Sequence, residues 1–328
     1  MTTSAVIVTY RPGAAFDRCL ESLAGEVDEV VVVDNAGDQQ ERAGIDRLVA
    51  PGENLGFAAG SNLGAAEATG DVLVFLNPDT VVAPGAIRQL ARALESPDVG
   101  IVMARLKLLD EPDTLNSGGV EVHVTGIGWA GGYGEPAESI SELKDVSAPS
   151  GTAMAMRAET FRELGGFAEE LFMYLEDVEL GWRAHLAGYR VVVDPEADVL
   201  HEYEFGRNPR KNYLLERNRL VFVLSAYSGR LLFLLGPLLV ATELGMTAVA
   251  LKEGWLGDKL SGWGWLARNA GVVRRRRRST QRLRTVRDRE LARYLTPVFD
   301  PKMIPVAGVL RAANPVVRAY WSAVKKLL

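Results

Sequence analysis

Val72–Thr80 reads VLVFLNPDT. Five apolar residues without a polar break describe a strand buried on both faces, and the switch to amide, proline and carboxylate marks where the chain leaves the sheet. Two stretches upstream repeat the pattern. Ala5–Thr9 (AVIVT) gives way to Tyr10-Arg11-Pro12-Gly13, and Val30–Val33 (VVVV) ends at Asp34-Asn35. Between these two, Phe16, Leu20 and Leu23 recur at helical spacing; Ala58–Ala68 is a small-residue helix stopped by Gly70. Downstream, Ile87–Leu94 reads as a helix and Val99–Met103 as a fourth strand. The rhythm predicts an α/β fold with a mostly parallel central sheet flanked by helices. Such sheets place their ligands outside the carboxyl ends of the strands.

Residues 112–150 are rich in glycine and poor in apolar runs, which predicts loops and short antiparallel strands. Thr152–Met156 reads as a strand, Val178–Ala187 as a helix, Val191–Val193 as a strand, and a loop carries His201. Beyond it the pattern becomes that of long helices. The expected organisation is an α/β domain over residues 1–225, divided at about residue 110, and a helical C-terminal extension over 226–328.

The chain has 328 residues, 48% of them hydrophobic and 24% charged, which excludes wholesale disorder. One cysteine, Cys19, excludes an intrachain disulfide and a cysteine-built zinc site. The three histidines, His123, His185 and His201, form no spaced metal motif. The first ten residues carry no charged leader, so the expectation for the catalytic part is cytosolic.

The net charge of −5 hides a split. From Arg268 to Arg293, eleven arginines stand against Asp288 and Glu290, centred on the run Arg274–Arg278, while the region before it is acidic. Just upstream, Leu231–Ala250 is apolar apart from Glu243 and is interrupted by Pro237. About 20 such residues meet the length of a membrane helix. The preferred reading is a helix lying in the membrane face with arginines toward anionic headgroups on the cytoplasmic side. A buried core helix and a full span are the alternatives. Nucleic acid fits the arginine run but not its apolar neighbour.

Asp34 and Asp79 each close an apolar strand. One such carboxylate can accept hydrogen bonds from a base or sugar; the other can bind a hard divalent cation that neutralises a diphosphate. Either could equally be a plain strand-end or capping Asp. Glu176-Asp177 opens a helix, where acids favour the dipole or act as a general base with a substrate-orienting partner. His201 is a candidate imidazole ligand in an otherwise oxygen-rich site. No GxxxxGK[ST], GxGxxG or GxSxG occurs; Gly52, Gly56, Gly60 and Gly64 are spaced by four, which makes no dinucleotide turn.

Taken in order, these segments resemble a family 2 glycosyltransferase of the GT-A fold, in the branch containing bacterial rhamnosyltransferases and galactofuranosyltransferases. Val8-Thr9-Tyr10 resembles the family's first strand and nucleotide loop, and Asp34-Asn35 the pair after the second strand. Asn54-Leu55-Gly56-Phe57-Ala58-Ala59-Gly60-Ser61-Asn62 resembles the branch's loop and helix beside the nucleotide. Asn77-Pro78-Asp79 stands where the family has Asp-x-Asp, so Asp79 alone supplies a carboxylate, and Asn77 acts through its amide or through contacts behind the metal's own ligands. Gly151 and Gly165-Gly166-Phe167 resemble the acceptor-side stretch, Phe172–Asp177 the segment with the acid pair, and His201 the metal ligand. The resemblance covers roughly residues 4–225 and implies a catalytic domain over 1–225, with a nucleotide-sugar half to about residue 110 and an acceptor half over about 111–225.

It implies an inverting transfer from a nucleoside-diphosphate sugar, with Asp177 as base and Glu176 holding sugar hydroxyls. Mg²⁺ or Mn²⁺ would be held by Asp79 and His201. Asp34 would contact the pyrimidine and Thr9 the ribose side. Arg183, Arg207 and Arg210 are candidates for phosphate. The branch points to dTDP-L-rhamnose first and UDP-galactofuranose second, with a lipid-linked saccharide as acceptor. A nucleotidyltransferase is the remote alternative, against which Tyr10-Arg11-Pro12-Gly13 is a thin phosphate loop.

Overall fold

The computed structural model describes residues 1–202, 208–302 and 311–328. The chain divides into two compact units. The first comprises Met1–Val120, Ala130–Ala184 and Tyr189–Glu204; the second comprises Glu121–Trp129, His185–Gly188 and Phe205–Leu328. The division therefore falls near residue 204, ahead of the expected 225, and the second unit also takes a short piece from the glycine-rich stretch.

In the first unit, β1 (Thr3–Thr9), α1 (Ala15–Ser22), β2 (Glu29–Asp34), β3 (Arg47–Val49), α2 (Gly56–Glu67) and β4 (Val72–Leu76) follow in order. β1 pairs in parallel with β2 on one side and β4 on the other, with Val6 beside both Val31 and Phe75. All three runs are buried, as unbroken apolar strands must be when helices cover both faces. Then come β5 (Thr80–Val82), α3 (Ala86–Ala93), β6 (Val99–Leu108) and β7 (Leu115–Ser117). β8 (Val120–His123) and β9 (Gly128–Ala130), which fall mostly in the second unit, precede β10 (Lys144–Asp145), β11 (Ala153–Arg157), α4 (Ala158–Leu164), α5 (Glu176–Leu186) and β12 (Arg190–His201). The main sheet runs β10-β12-β6-β11-β4-β1-β2-β3, with β5 on β12 and β7 on β6.

The α/β class with flanking helices is the observed one, but the sheet is mixed. The β4-β1-β2-β3 half is parallel, whereas β11, β10, β5 and β7 pair antiparallel with their neighbours. The strand expected at Val191–Val193 runs to His201, through an irregularity between Asp194 and Asp198 that absorbs Pro195.

α2 explains the four-residue glycine spacing. A Cβ at Gly60 would stand 2.9 Å from Val8 Cγ1, and one at Gly64 would stand 2.5 Å from Val6 Cγ1. The glycines thus let the helix lie directly on β1.

The second unit is mainly helical: α6 (Lys211–Ala226), α7 (Gly229–Glu253), α8 (Leu256–Arg268), α9 (Ala270–Arg282), α10 (Asp288–Leu291), β13 (Leu295–Thr296) and α11 (Asn314–Leu327). β13 pairs in parallel with β8. α7 continues through Pro237 and is long and apolar enough to cross a membrane. Only Leu231, Leu235 and Ala250 within it are buried, so it is not a core helix. Phe233, Val240, Leu244 and Leu251 are exposed, Phe233 at 81%. Its one mid-helix charge, Glu243, is tied inward. Arg219 of α6 pairs with it, Lys259 Nζ of α8 lies 3.1 Å from its Oε2, and Trp263 Nε1 donates to the same oxygen at 3.0 Å. Lys259, wholly buried, also donates to Glu216 at 2.5 Å. Buried charges of this kind need such mutual pairing.

The arginine run divides in two. Arg277 Nη1 donates to the Leu224 and Tyr227 carbonyls at 2.7 Å each, and Gln281 Nε2 donates to those of Ser225 and Ala226 at 2.9 Å. Together they satisfy carbonyls that the end of α6 leaves without helical partners. Arg274, Arg275, Arg278 and Arg282 are exposed.

The close seating of α2 makes a stability prediction. Gly64→Leu should lower unfolding free energy by about 1–3 kcal/mol, the usual range for overpacking, even though leucine is the better helix former. Urea unfolding of the variant beside wild type measures it; an unchanged midpoint would remove the glycine from the helix–strand contact.

Candidate functional site

The end of β4 leads into Asn77-Pro78-Asp79, and β5 then turns the chain antiparallel onto β12. In that register His201 lies opposite Thr80, and the Glu202 amide donates to the Asp79 carbonyl at 2.9 Å. Strand pairing thereby brings two residues 122 positions apart to one place: His201 Nε2 is 3.3 Å from Asp79 Oδ1. His201 is 6% exposed. Its Nδ1 lies 3.0 Å from Asn116 Oδ1. Asp79 Oδ1 is buried and has no hydrogen-bond partner.

An orphaned carboxylate oxygen beside an imidazole nitrogen fits a divalent cation. Two adjacent ligands of an octahedral ion, each at about 2.1 Å, stand about 3 Å apart. Among the described residues no cluster of three or more His, Cys, Asp or Glu side chains could hold a metal. Asp79 and His201 are thus a two-residue donor set. Of the other histidines, His185 stacks on Tyr294 with centroids 3.6 Å apart. His123 is buried, and burial pushes it down to about 4.

The acid pair stands at the start of α5. Asp177 Oδ2 accepts from the Gly151 amide at 2.9 Å, and Oδ1 from the Val178 amide at 2.7 Å. Thr152 in turn accepts at its carbonyl from the Asn77 amide at 2.9 Å. Residues 150–152 therefore link the acid pair to the end of β4. Glu176 is buried, and its Oε2 has no partner. Burial raises Glu176 well above the usual carboxylate range, and the neighbouring Asp177 charge adds to the shift. Burial also raises Asp177, but the Gly151 and Val178 amides oppose it. Burial thus raises both carboxyls, and of the two only Asp177 has neighbouring backbone amides on its oxygens to oppose the rise. Two carboxyls whose surroundings separate their roles are a recurrent acid–base arrangement.

The segment before α5 is strained. Phe172, Tyr174 and Leu175 have φ of 65°, 71° and 66°, a region that non-glycine residues enter at about 1–3 kcal/mol each. The start of α2 holds it. The Ala58 amide donates to the Phe172 carbonyl at 3.1 Å, and Gly56, at φ 74°, has no room for a Cβ beside that carbonyl.

Several expected site residues serve this framework instead. Asn35 holds the α2 entry, donating to the Gly56 carbonyl at 3.1 Å and accepting from the Leu55 amide at 3.2 Å. Asn54 accepts from the Gly56 amide at 2.9 Å. Asn62 donates to the Phe167 carbonyl and the Glu169 carboxylate at 3.0 Å, and accepts from the Phe167 amide at 2.8 Å. In Asn35 and Asn62 both amide atoms are engaged inside the protein, which corrects the expectation of nucleotide contacts from those two; Asn54 is exposed and engages only its Oδ1 in the turn. Gly56 is required by packing.

Arg183 is likewise corrected. It is 1% exposed, donates to Glu179 at 2.6–2.8 Å and to the Leu164 and Gly166 carbonyls, and cannot reach a phosphate. Asp34 is buried, accepting from the Ala36 and Gln39 amides at 3.0 and 2.7 Å, so it orders the loop after β2. Thr9 is buried beside it. Tyr10, in contrast, is exposed, with Arg11 over its ring. Asn77 is half-buried. Arg210 is exposed, with its guanidinium 5.0 Å from the Tyr213 ring centre. Arg207 lies outside the described residues. Asn116, the partner of His201, carried no signal in the sequence, standing 85 residues away in no motif.

Comparison with known proteins adds to this geometry. Residues 4–165 match the family model "Glycosyl transferase family 2". The N-acetylglucosaminyl-diphospho-decaprenol L-rhamnosyltransferase of Mycobacterium tuberculosis is 30% identical over 263 residues, 68% of this chain and 84% of that protein. The O-antigen biosynthesis protein RfbC of Myxococcus xanthus is 31% identical over 171 residues, 48% of this chain but 13% of its own length. The crystal structure of GalNAc-T7 with UDP, GalNAc and Mn²⁺ superposes with a TM-score of 0.58 at 18% identity, covering 69% of this chain and 48% of that one, a likeness of fold.

The buried Glu176 carboxyl, whose Oε2 has no hydrogen-bond partner, sets a pH dependence. Its folded value lies above its unfolded one, so its contribution to stability is fully present below about pH 4.3 and is lost as pH rises through the folded value. Glu176→Gln removes that loss. The variant should melt higher than wild type at pH 7–8, and the gap should close toward pH 4. Melting curves across that range measure it, and a gap independent of pH would show that Glu176 is not a strained buried acid.

Proposed function

The chain belongs to glycosyl transferase family 2, in its rhamnosyltransferase branch, and is a nucleoside-diphosphate-sugar-dependent enzyme; from that footing we propose that it transfers L-rhamnose from dTDP-L-rhamnose to a lipid-linked saccharide with inversion, using Asp177 as general base. The observation that carries the mechanism is the division of labour in the acid pair. Two backbone amides hold the Asp177 oxygens, opposing the rise that burial causes, and the same amides fix where that carboxylate points. As the acceptor oxygen bonds to the anomeric carbon, its proton passes to Asp177 and the bond to the diphosphate oxygen breaks. Glu176, protonated, can donate a hydrogen bond to a sugar oxygen. Asp79 and His201 would hold Mg²⁺ or Mn²⁺, which supplies positive charge for the departing diphosphate. Tyr10, exposed at the end of β1, offers a ring for the donor's base. The sugar and the lipid carrier are suggested by the mycobacterial relative's name.

Asp177→Asn keeps size and loses basicity. Turnover should fall about 10²–10⁴-fold while calorimetric donor affinity stays within a few-fold of wild type. Turnover near wild type would transfer the base role to Glu176.

The same reading places the protein on the cytoplasmic face of a membrane through its second unit. α7 presents an apolar stripe from Phe233 to Leu251, while Glu243 is held by α6 and α8, which favours a helix lying on the bilayer over one crossing it. Arg274, Arg275, Arg278 and Arg282 supply charge for anionic lipid, at about 1 kcal/mol per residue near the surface. Changing these four to Gln should reduce co-sedimentation with anionic vesicles at low salt and leave binding to neutral vesicles unchanged. Equal recovery of wild type in the supernatant with and without vesicles would overturn the membrane assignment.

A further inference from the structure

We propose that Asn116 is the positioning residue that sets the His201 ring in its metal-binding tautomer, an inference that rests on the reading of Asp79 and His201 as the cation's donors. Asn116 lies in β7 and is buried. In the β6–β7 ladder Leu106 pairs with Ser117 and Lys107 with Leu115, so one residue of β6 is matched by two steps of β7. Asn116 is the extra residue. Bulges of this kind re-aim a side chain that a regular ladder would direct elsewhere. β6 also pairs with β12, placing Leu108 beside His201, so two ladders bring the bulged amide to the ring.

The chemistry follows from what each atom can do. An amide oxygen only accepts, so with Asn116 Oδ1 at 3.0 Å, Nδ1 of a neutral His201 must carry the ring proton. Nε2 then carries the lone pair, and it is the nitrogen 3.3 Å from Asp79 Oδ1. An ionised carboxylate oxygen is also only an acceptor. Two lone pairs directed to one place repel each other unless a cation lies between them, and Asp79 Oδ1 is the atom that lacks a hydrogen-bond partner. Were the amide turned the other way, its N–H₂ would donate to Nδ1, the proton would move to Nε2, and the ring would bond to Asp79 in place of a metal. The orientation of one buried amide thus selects between a ligand and a hydrogen-bond donor. Outer partners of metal-bound histidines commonly act in this way.

The substitution Asn116→Asp separates these roles, since a carboxylate accepts from Nδ1 but cannot donate. Mn²⁺ affinity should be measured by the loss of the free-ion electron paramagnetic resonance signal, with Mn²⁺ alone and with Mn²⁺ plus dTDP, on wild type, Asn116→Ala, Asn116→Asp and His201→Ala. Asn116→Ala should bind Mn²⁺ about 10–100-fold more weakly, and Asn116→Asp should match or exceed wild type. Should the alanine variant fail to fold, Asn116→Asp against His201→Ala still decides the matter. Equal Mn²⁺ affinity in wild type and Asn116→Ala would overturn the role of Asn116 while leaving the metal site intact. Asn116→Asp binding as weakly as His201→Ala would overturn the acceptor role. Wild type taking up no Mn²⁺ under either condition would instead overturn the metal reading on which the inference rests.

Discussion

The antiparallel contact of β5 with β12 is the constraint on which the candidate site depends. β5 is only three residues long, yet it fixes His201 opposite Thr80 and ties the Glu202 amide to Asp79. Without that register the Asp at the end of β4 would be one more strand-end acid. β12 can reach so far because an irregularity takes Pro195 out of the ladder with β6 and lets pairing resume at Asp198. The bulge in β7 is its counterpart: one lengthens a strand toward the site, and the other turns a side chain into it.

A second constraint is the seat of α2. Gly60 and Gly64 bring the helix down onto β1, Gly56 admits the Phe172 carbonyl, and Asn35, Asn54 and Asn62 hydrogen-bond around its entry and along its length. The stretch that looked most like a nucleotide loop is thus the clamp on the strap that leads to Glu176 and Asp177. Both readings begin from the same residues. They differ in where the amides point, which composition and spacing do not record.

The strands of the parallel half were legible because unbroken apolar runs admit one placement, and the change to Asp34 or Asp79 at their ends located the open edge. The extension of β12 to His201 was not, since Asp194-Pro195-Glu196 carries every sign of a break. Arg183 misled because a helix pattern does not tell a cation that faces a ligand from one buried against Glu179 four residues back. That α6 groups with the second unit has a related reason. α6 buries Glu216, Arg217, Asn218 and Arg219, so its polar face is an interior one, and its kinship with the C-terminal helices is carried by ion pairs rather than by hydrophobic period.

The strap at residues 172–175 bears on the order in which the protein acquires its parts. Three residues with left-handed backbone in a span of four have no local preference for their shape, so this segment cannot form ahead of its surroundings. It takes its shape only when the start of α2 is already seated and the Ala58 amide is there to meet the Phe172 carbonyl. The acid pair follows directly on the strap. The first unit would therefore complete its sheet before it sets Glu176 and Asp177 in place.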